Sequence, residues 1–371
     1  MLRQRAHADF PPITNRDYAI DLYDGVAIGS TTMVGMGGAG AANIIGTAGV
    51  LLNPSAIGVR STTDLDTWSI DYHADLLTAR FSEDYDNNGQ VADGGASLLT
   101  LGLGGRYHDW ALAGTFVGQS APVAGSSPEL TAEGLRFRVT LARWLPDYDL
   151  AIGGGLQSGT FRLTAAGSAL VSITGTGLIA GATWLPRNQS FRLAAAVETP
   201  IDGGEVTGDC DPNNCQGYIL PERARTPWRL VTGAAVRIAD SPWNQLIAGP
   251  FRDERALTLA ADVVVTGATD NGYGVEAFGM QSLQPSGRHV VMSLRGGIEY
   301  EWLPGRLRVR GGAYWEPGRF EGVGGRLHET FGIDLRVLQF HLWGPRRGRI
   351  SLTSDVASRY RNAGISIGFW H

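Results

Sequence analysis

Residues 292–315 read MSLRGGIEYEWLPGRLRVRGGAYW, and two alternating runs meet at a turn within this stretch. In the first run, from Met292 to Trp302, every second residue is apolar or small, and the residues between are polar or small. The second run, from Leu307 to Trp315, repeats the pattern. A strand that alternates in this way has one face in an apolar medium and the other in water. The stretch therefore predicts a hairpin of two such strands.

Similar alternation continues from residue 66 to the end of the chain and predicts fourteen strands. Their expected bounds are 66–80, 96–107, 109–120, 132–145, 149–164, 168–185, 190–198, 226–240, 256–267, 288–302, 306–316, 326–343, 348–358 and 362–371. Most connections after even-numbered strands are short, whereas several after odd-numbered strands are long, notably 199–225 and 268–287. Short turns at one end and long loops at the other are typical of an outer-membrane barrel. The connection at 241–255 is the exception.

Aromatic residues mark the ends of several predicted strands. An indole directly before a tight turn suits a membrane–water interface, and proline cannot continue a strand ladder. Lipid offers no partner for backbone N–H and C=O groups, so strands with a lipid face need a closed barrel. We therefore expect an all-β fold, a 14-stranded antiparallel transmembrane β-barrel in the bacterial outer membrane. The tripeptides concerned are Trp144-Leu145-Pro146, Trp184-Leu185-Pro186, Trp302-Leu303-Pro304 and Trp343-Gly344-Pro345.

The composition fits this class and excludes others. Of the 371 residues 52 are glycine, about 14% and roughly twice the usual share, which disfavours a helical protein. The 31 basic and 36 acidic residues give a net charge of −5, and every basic residue is arginine. A negative chain without a clustered basic stripe argues against nucleic acid as a partner.

The longest uncharged stretch, residues 29–59, could span a bilayer by length alone. Its many glycines and Pro54 make it a poor helix, and Asn43 and Asn53 place polar groups inside it. Such a segment needs shelter, which a wide barrel lumen offers. We expect three regions: residues 1–28 as a leader or N-terminal extension, 29–65 as a lumenal hatch and 66–371 as the barrel.

Two features point to a compartment outside the cytoplasm. Cys210 and Cys215, the only cysteines, share one loop rich in Asp, Asn and Gly, where a short disulfide is plausible in an oxidising compartment. Ala6-His7-Ala8 before Asp9 matches the small-residue pattern of signal-peptide cleavage, although no apolar stretch precedes it. The start of the sequence is therefore expected to be truncated or misassigned.

Three passages resemble the FadL family of outer-membrane transporters of long-chain fatty acids and aromatic hydrocarbons. The first joins Met36-Gly37-Gly38-Ala39-Gly40 to Leu52-Asn53-Pro54-Ser55-Ala56, which is similar to the family's N-terminal Gly-Ala segment and its Asn-Pro-Ala motif. Ser55 replaces the usual alanine. The second passage runs from Pro227 to Ala235, and the third from Leu294 to Tyr314. Together with the strand pattern, the resemblance covers nearly the whole chain.

The resemblance implies that the N-terminal segment folds inside the barrel as a hatch that blocks a water-filled pore. Its ligand or hatch residues are then Gly37, Gly38, Gly40, Asn53, Pro54 and Ser55. Hydrophobic ligands are expected to leave sideways through a kinked wall strand. The implied function is to bind and passively admit hydrophobic small molecules such as long-chain fatty acids, with outer-membrane lipid as the other partner.

A related branch, the PorV-like proteins, supports a different interpretation of the same fold. There the barrel anchors other envelope proteins of a secretion or motility machine. A transporter needs a continuous apolar pocket from the loops to the hatch, whereas an anchor needs exposed loop surface for its partner. The sequence leaves both alternatives open.

A calcium ion is a candidate cofactor, and no cofactor is certain. Asp84, Asp86 and Asn88, followed by Gly89, copy the first half of a calcium loop, with oxygen ligands at alternate positions. The twelfth position, which should carry a carboxylate, is Gly95. A solvated acidic hairpin loop is the alternative interpretation.

No motif for covalent chemistry stands out, so we expect the protein not to be an enzyme. The seven histidines show no metal-site spacing, and no strained strand-to-helix elbow marks a serine nucleophile. The pattern Gly35-x-Gly37-x-x-Gly40 lacks the acidic residue that dinucleotide binding needs about 20 positions later.

Overall fold

The structure is a computed structural model of the 371-residue chain. It describes residues 10–22, 29–60, 67–79, 83–127, 129–165, 167–204, 206, 210–247, 251–342 and 344–370. The candidate cleavage pattern at Ala6-His7-Ala8 lies outside the described residues, and so does Trp343 of the fourth tripeptide.

Within the described ranges the backbone forms eighteen strands, three short α-helices and one 3₁₀ helix. Fourteen strands form the barrel wall: β2 (Trp68–Ala79), β3 (Ala96–Tyr107), β4 (Trp110–Val123), β5 (Leu130–Leu145), β6 (Leu150–Ala165), β7 (Ser168–Trp184), β8 (Phe191–Glu198), β11 (Arg229–Ala239), β12 (Ala256–Thr266), β14 (Val291–Leu303), β15 (Leu307–Glu316), β16 (Arg326–His341), β17 (Pro345–Ala357) and β18 (Tyr360–Phe369). The four short strands are β1 (Ala19–Asp21), β9 (Ile201–Gly203), β10 (Arg223–Thr226) and β13 (Gly272–Tyr273). The helices are α1 (Thr31–Gly35), α2 (Gly46–Gly49), the 3₁₀ helix (Pro54–Gly58) and α3 (Val275–Gly279).

The wall is a closed ring. Each wall strand pairs antiparallel with its neighbours, and the last strand returns to the first, where Ile365 of β18 lies opposite Leu76 of β2. β8 pairs with β11, and β12 with β14, because β9, β10 and β13 belong to the long connections. The predicted 14-stranded antiparallel barrel is confirmed. No helix in the described part of the chain is long and apolar enough to cross a membrane.

The hairpin of β14 and β15 shows how the wall divides its side chains. Leu294 and Ile298 face outward with 52% and 51% of their surface exposed, whereas Arg295 between them is only 6% exposed. Outward-facing apolar residues continue this belt on the other wall strands. Such a belt, too large for a surface in water, is the lipid-facing surface of a transmembrane barrel.

Tryptophans lie where the wall strands meet the short turns. Trp68 and Trp110 begin β2 and β4, whereas Trp184 and Trp302 lie at the ends of β7 and β14. All four are at least 40% exposed. They form one aromatic girdle at the membrane–water interface, to which the predicted tripeptides contribute Trp184 and Trp302. Trp144 of the first tripeptide is instead half-buried and packs against the cluster of Val59, Ala151 and Leu185.

The connections alternate in length as predicted. Residues 146–149 and 304–306 make turns at one end of the barrel, whereas 199–228 and 267–290 make long loops at the other. The exception, residues 240–255, lies at the short-turn end. Its Trp243 packs against a buried apolar cluster that contains Met36 and Ala41, so this connection covers the lumen from below.

The long connections fold together with residues 10–22 into a cap over the other end of the barrel. β1 pairs in parallel with both β10 and β13. A buried apolar cluster joins these pieces to the upper wall, and it includes Tyr18, Ile20, Leu163, Leu170, Tyr218 and Phe278. This part of the expected N-terminal extension is therefore an element of the cap.

Residues 29–60 lead from the cap to the region of the first wall strand. α1 contacts β2 and β15–β18, whereas the 3₁₀ helix contacts β3–β7. Contacts with both sides of a ring require a position within it. We refer to residues 29–60 as the N-terminal segment.

Candidate functional site

The turn after α1 lies against glycines of the β14–β15 hairpin. Gly37 has a φ of +60°, and a Cβ there would lie 2.5 Å from the carbonyl oxygen of Gly296. On the wall side, a Cβ on Gly297 or Gly312 would overlap the backbone of Met36 or Gly37. Gly297 and Gly312 are direct register partners. Gly297 and Gly312, which lie opposite each other in the hairpin, therefore leave room for the backbone of the N-terminal segment.

Charged side chains of the wall hold the next turn. Oδ2 of Asp262, on β12, accepts the backbone N–H groups of Gly40 at 2.8 Å and of Ala41 at 2.9 Å. The guanidinium of Arg295 donates to the carbonyl oxygen of Gly38 at 3.2 Å. Hydrogen bonds to charged groups are stronger than neutral ones, so they fix this turn firmly to the wall.

Two carboxylates of β2 bind the two helices. Oδ1 of Asp75 accepts the N–H of Thr31 at 2.8 Å and its hydroxyl at 2.9 Å. Oδ2 of Asp71 does the same for Thr47 at 2.5 and 2.9 Å. Both threonines lie at the start of a helix, where backbone N–H groups lack helical partners. The wall therefore satisfies the donors that α1 and α2 leave open.

A Gly-x-Ser-x-Gly pattern occurs at 364–368, within β18. The strand is regularly paired there, with Ser366 opposite Asp75 of β2. The Ser366 hydroxyl lies 2.6 Å from that of Thr31. This serine belongs to the wall contact and does not form a strand-to-helix elbow.

Asn53, Pro54 and Ser55 form a polar corner against β7. Oδ1 of Asn53 accepts the N–H of Ser55 at 3.1 Å, and Nδ2 donates to Oγ1 of Thr183 at 2.8 Å. Pro54 occupies the first turn of the 3₁₀ helix. Backbone N–H groups there have no partner within the helix, so the lack of an N–H in proline costs no hydrogen bond. The Ser55 hydroxyl lies 2.8 Å from both Asn53 Oδ1 and Thr183 Oγ1. Serine in place of alanine thus has a partner in the wall.

The sequence did not reveal the ionic group on the cap side of this corner, where Glu198 lies opposite Ile179 of β7. Glu198 accepts hydrogen bonds from Arg138 at 3.0 Å and from Arg229 at 2.5 Å. Both arginines also donate to the carbonyl oxygen of Leu51, at 2.9 and 3.4 Å. Glu198 and Arg229 are register partners on the paired strands β8 and β11, whereas Arg138 lies on β5, so only the curvature of the wall brings Arg138 to them.

An apolar pocket of about 60 Å³ lies in the lumen between the N-terminal segment and the cap. Its lining includes the apolar side chains of Val117, Phe161, Ile173 and Ile201, and also Gln119 and Arg136. Ligand pockets usually measure roughly 300–1,000 Å³. A ligand larger than a few atoms therefore requires the cap or the segment to move.

The wall beside this pocket is interrupted. Thr199 and Pro200 separate β8 from β9, and the register on either side places Pro227 opposite Pro200. Proline has no N–H, so both donors are missing from the ladder at this level. Toward β7 the register shifts by one residue, from Glu198 opposite Ile179 to Asp202 opposite Thr176. Next to the apolar pocket the wall therefore lacks two ladder donors and shifts its register, although the N–H of Thr199 still donates to the carbonyl oxygen of Leu178 at 2.9 Å.

A buried ion pair fixes the cap. Arg319 donates to Asp21 at 2.6 and 3.0 Å, and both side chains have no exposed surface. The hydroxyls of Thr269 and Ser286 donate to the same carboxylate at 2.6 and 2.7 Å. Nothing in the sequence marked Asp21, because its partners lie about 250 to 300 positions away.

The predicted disulfide is confirmed. Cys210 and Cys215 are bonded, with their Cα atoms 5.3 Å apart. Cys215 is completely buried in the apolar cluster of the cap, next to Leu170 and Tyr218. The bridge therefore pins the tip of the 199–228 loop into that cluster.

The acidic loop after β2 is organised by its own backbone. Asp84 accepts the N–H groups of Asn88 and Gly89, at 3.0 and 3.1 Å, and lies 3.2 Å from the guanidinium of Arg359. The side chain of Asp86 is hydrogen-bonded to Glu276 of α3. Over the described residues, no group of three or more His, Cys, Asp or Glu side chains is arranged to hold a metal. Calcium at Asp84, Asp86 and Asn88 stays a prediction.

The fold and the lumen define a class of protein. It is a closed 14-stranded membrane barrel with a long-loop cap and an N-terminal segment bonded to the inner wall.

Solved structures of the same fold are known. A FadL homologue from Pseudomonas aeruginosa is 13% identical, covering 94% of this chain and 98% of its own, with a TM-score of 0.58. The toluene transporter TbuX from Ralstonia pickettii is 14% identical over 94% and 99% of the two chains, with a TM-score of 0.59. The toluene transporter TodX from Pseudomonas putida is 13% identical over 96% of this chain and 98% of its own, with a TM-score of 0.54. The sequence matches no protein-family model and no curated protein. At such identities the likeness establishes a shared fold.

Proposed function

We propose that the protein is a bacterial outer-membrane channel that binds hydrophobic small molecules, such as long-chain fatty acids or aromatic hydrocarbons, and admits them passively. The observation that carries the proposal is the apolar pocket placed directly against the interrupted wall at Thr199–Pro200. An apolar molecule in that pocket has lipid on the other side of this interruption. The fold shared with two toluene transporters supports this assignment.

In this proposal the N-terminal segment acts as a hatch. Its anchors on β2, β7, β12 and β14 hold it across the lumen, where it would hold back water-soluble molecules. Hydrophobic molecules avoid this obstacle by leaving sideways into the membrane. No covalent step is needed, because transfer from water to lipid is favourable for an apolar molecule.

Substitutions in the pocket test the proposal. Val117→Trp should fill the pocket, whereas Val139→Trp places the same side chain on the lipid-facing side of the next strand, where Val139 is 42% exposed. The measurement is uptake of radiolabelled oleate and toluene by bacterial cells that lack other channels of this kind. We expect Val117→Trp to lower uptake at least severalfold and Val139→Trp to leave it unchanged.

Equal uptake by the two variants and the native chain would remove the pocket from the route. If cells with the native protein take up no more than cells without it, while an envelope protein co-purifies with the barrel at a fixed ratio, the chain is an anchor and the transport proposal is wrong.

A further inference from the structure

A second cavity, of about 470 Å³, lies on the other side of the N-terminal segment. Its upper surface includes Ile44 and Ile57 of that segment, and its lower surface includes Trp243 and Arg252 of the 240–255 connection. Its walls are the strand ends next to the short turns. This cavity is separate from the apolar pocket and has the volume of an ordinary ligand site.

One corner of the cavity carries excess positive charge. Arg192, Arg237 and Arg252 all line it. Glu254 pairs with Arg237 at 2.7 Å and with Arg252 at 2.5 Å. Three guanidinium groups and one carboxylate leave a formal charge of +2 in this corner.

Arg192 is the group without a counterion. It is 2% exposed, its Nε donates to Oδ1 of Asn244 at 2.8 Å, and its guanidinium lies 3.9 Å from the ring centre of Trp243. Among the described residues no carboxylate lies within 4.0 Å of it. Arginine stays charged in proteins, and a buried charge is stable only when it is paired.

We propose that this corner binds the oxyanionic head of an amphiphile, a carboxylate or a phosphate, with the apolar tail along the N-terminal segment. The head would pair with Arg192 and neutralise the excess charge. Ile44, Ile45 and Ile57 offer an apolar surface in the same cavity for a short tail. Guanidinium groups suit oxyanions because their planar N–H donors match two oxygen atoms at once. The site stands whether or not the barrel transports hydrophobic molecules.

Equilibrium dialysis of the detergent-purified full chain tests the proposal without any transport step. The probes are radiolabelled octanoate, octyl phosphate, octanol and inorganic phosphate. We expect octanoate or octyl phosphate to bind at least tenfold more tightly than octanol, and whichever binds more tightly identifies the head group. Equal binding of octanol overturns the oxyanion site. Inorganic phosphate binding as tightly as octyl phosphate would overturn the amphiphile, because the tail then contributes nothing.

Variants locate the site. Arg192→Gln should abolish the preference over octanol, and Arg192→Lys should keep part of it. Arg162→Gln removes an exposed arginine from β6 and should change nothing. A preference that survives Arg192→Gln places the anion elsewhere and overturns the proposal.

Asn244→Asp provides a second variant in case Arg192→Gln fails to fold. It puts a carboxylate oxygen beside Arg192 at the position of Asn244 Oδ1. It also removes the hydrogen bonds that Nδ2 donates to the carbonyl oxygens of Pro186 and Phe191 at 3.1 and 2.9 Å, so folding is checked first by the gel shift between unheated and boiled samples. This internal counterion should displace the ligand and lower its affinity at least tenfold. Unchanged affinity in a folded Asn244→Asp protein contradicts the assignment.

Discussion

At the scale of single residues, close backbone contacts explain the glycines that the sequence contains in excess. Gly37 combines a positive φ with a wall carbonyl at the position of its missing side chain. Gly297 and Gly312 have ordinary strand positions, yet a side chain on either would displace the N-terminal segment. Two different requirements, backbone conformation and space, thus meet at one contact.

A comparison of Gly37→Ala with Gly322→Ala separates the requirement for a positive φ from the requirement for space. Both positions have a positive φ, where alanine costs about 1 kcal/mol, but Gly322 has nothing within 4 Å of an added Cβ. We expect Gly37→Ala to loosen the N-terminal segment and to raise the ion conductance of the barrel in planar bilayers. Gly322→Ala should leave conductance at the native level.

Equal conductance of Gly37→Ala and Gly322→Ala would show that the contact with Gly296 does not hold the segment in place. Deletion of residues 29–60 gives the highest conductance to be expected, because that variant lacks the whole N-terminal segment.

Sequence patterns predicted these glycines as a set but not their individual contacts. Alternation of period two identifies which residues of β14 face the lumen, since it depends only on neighbours along the chain. It cannot tell that Arg138 reaches Glu198, three strands away, or that Asp21 meets Arg319, because those pairs depend on how distant parts of the chain are arranged in the barrel. For the same reason the Arg192 corner was not predicted.

At the scale of elements, the wall was predicted closely and the connections were not. All fourteen expected strands are present, with ends within a few residues of their predicted bounds. The connections fold by packing against one another, as in the apolar cluster that joins β1, α3 and the 199–228 loop. Such packing leaves no periodic pattern in the sequence, and the interruption at Thr199–Pro200 became visible only from the register of its neighbours.

The contact between the acidic loop after β2 and helix α3 should depend on pH. Burial, together with the charge of Glu276, raises the pKa of Asp86 well above its ordinary value, and burial also raises the pKa of Glu276. A raised pKa means that folding favours the protonated form, so this contribution to stability is complete below about pH 4 and is lost as pH rises through the raised values. Amide hydrogen exchange, corrected for intrinsic rates, should show weaker protection of residues 83–92 at pH 8 than at pH 5.

Asp86→Asn combined with Glu276→Gln should remove this pH dependence, whereas Asp93→Asn, an exposed change in the same loop, should keep it. Identical hydrogen-exchange protection at both pH values in the native chain would show that the contact between Asp86 and Glu276 does not depend on protonation. If the predicted calcium site exists, added calcium should restore protection at pH 8.

The disulfide should stabilise the cap locally and leave the wall unaffected. The bridge closes only five residues of sequence separation, so its contribution should lie at the low end of the roughly 0–5 kcal/mol range for disulfides. In the Cys210→Ser, Cys215→Ser protein, proteolysis of the 199–228 loop should be faster than in the native chain. The shift in gel mobility between unheated and boiled samples, which reports the closed wall, should be the same for both. Loss of that shift would mean that the wall depends on the cap.

At the scale of the whole molecule, the barrel is divided into levels. The cap closes the long-loop end, the apolar pocket lies beneath it, the N-terminal segment crosses the lumen, and the charged cavity opens toward the short turns. Register shifts occur at several places in the wall, and the one that combines a shift with two opposed prolines lies at the level of the apolar pocket. Under our two proposals, this arrangement separates a sideways route for apolar molecules from a chamber for amphiphiles with an oxyanionic head.

Locking the wall tests the sideways route most directly. The lock is built in a chain whose native cysteines are replaced by Cys210→Ser and Cys215→Ser. In that chain, Thr176→Cys and Asp202→Cys place two thiols opposite each other across the β7–β9 pair. Ser97→Cys with Ser120→Cys makes the matched lock across the β3–β4 pair, and neither residue lines the apolar pocket. The measurement is oleate uptake by cells that carry each protein, before and after reduction of the new disulfide. We predict that the β7–β9 lock reduces uptake severalfold and that reduction restores it, whereas the control lock has no effect. Full uptake through the oxidised β7–β9 lock would contradict lateral passage at Thr199–Pro200.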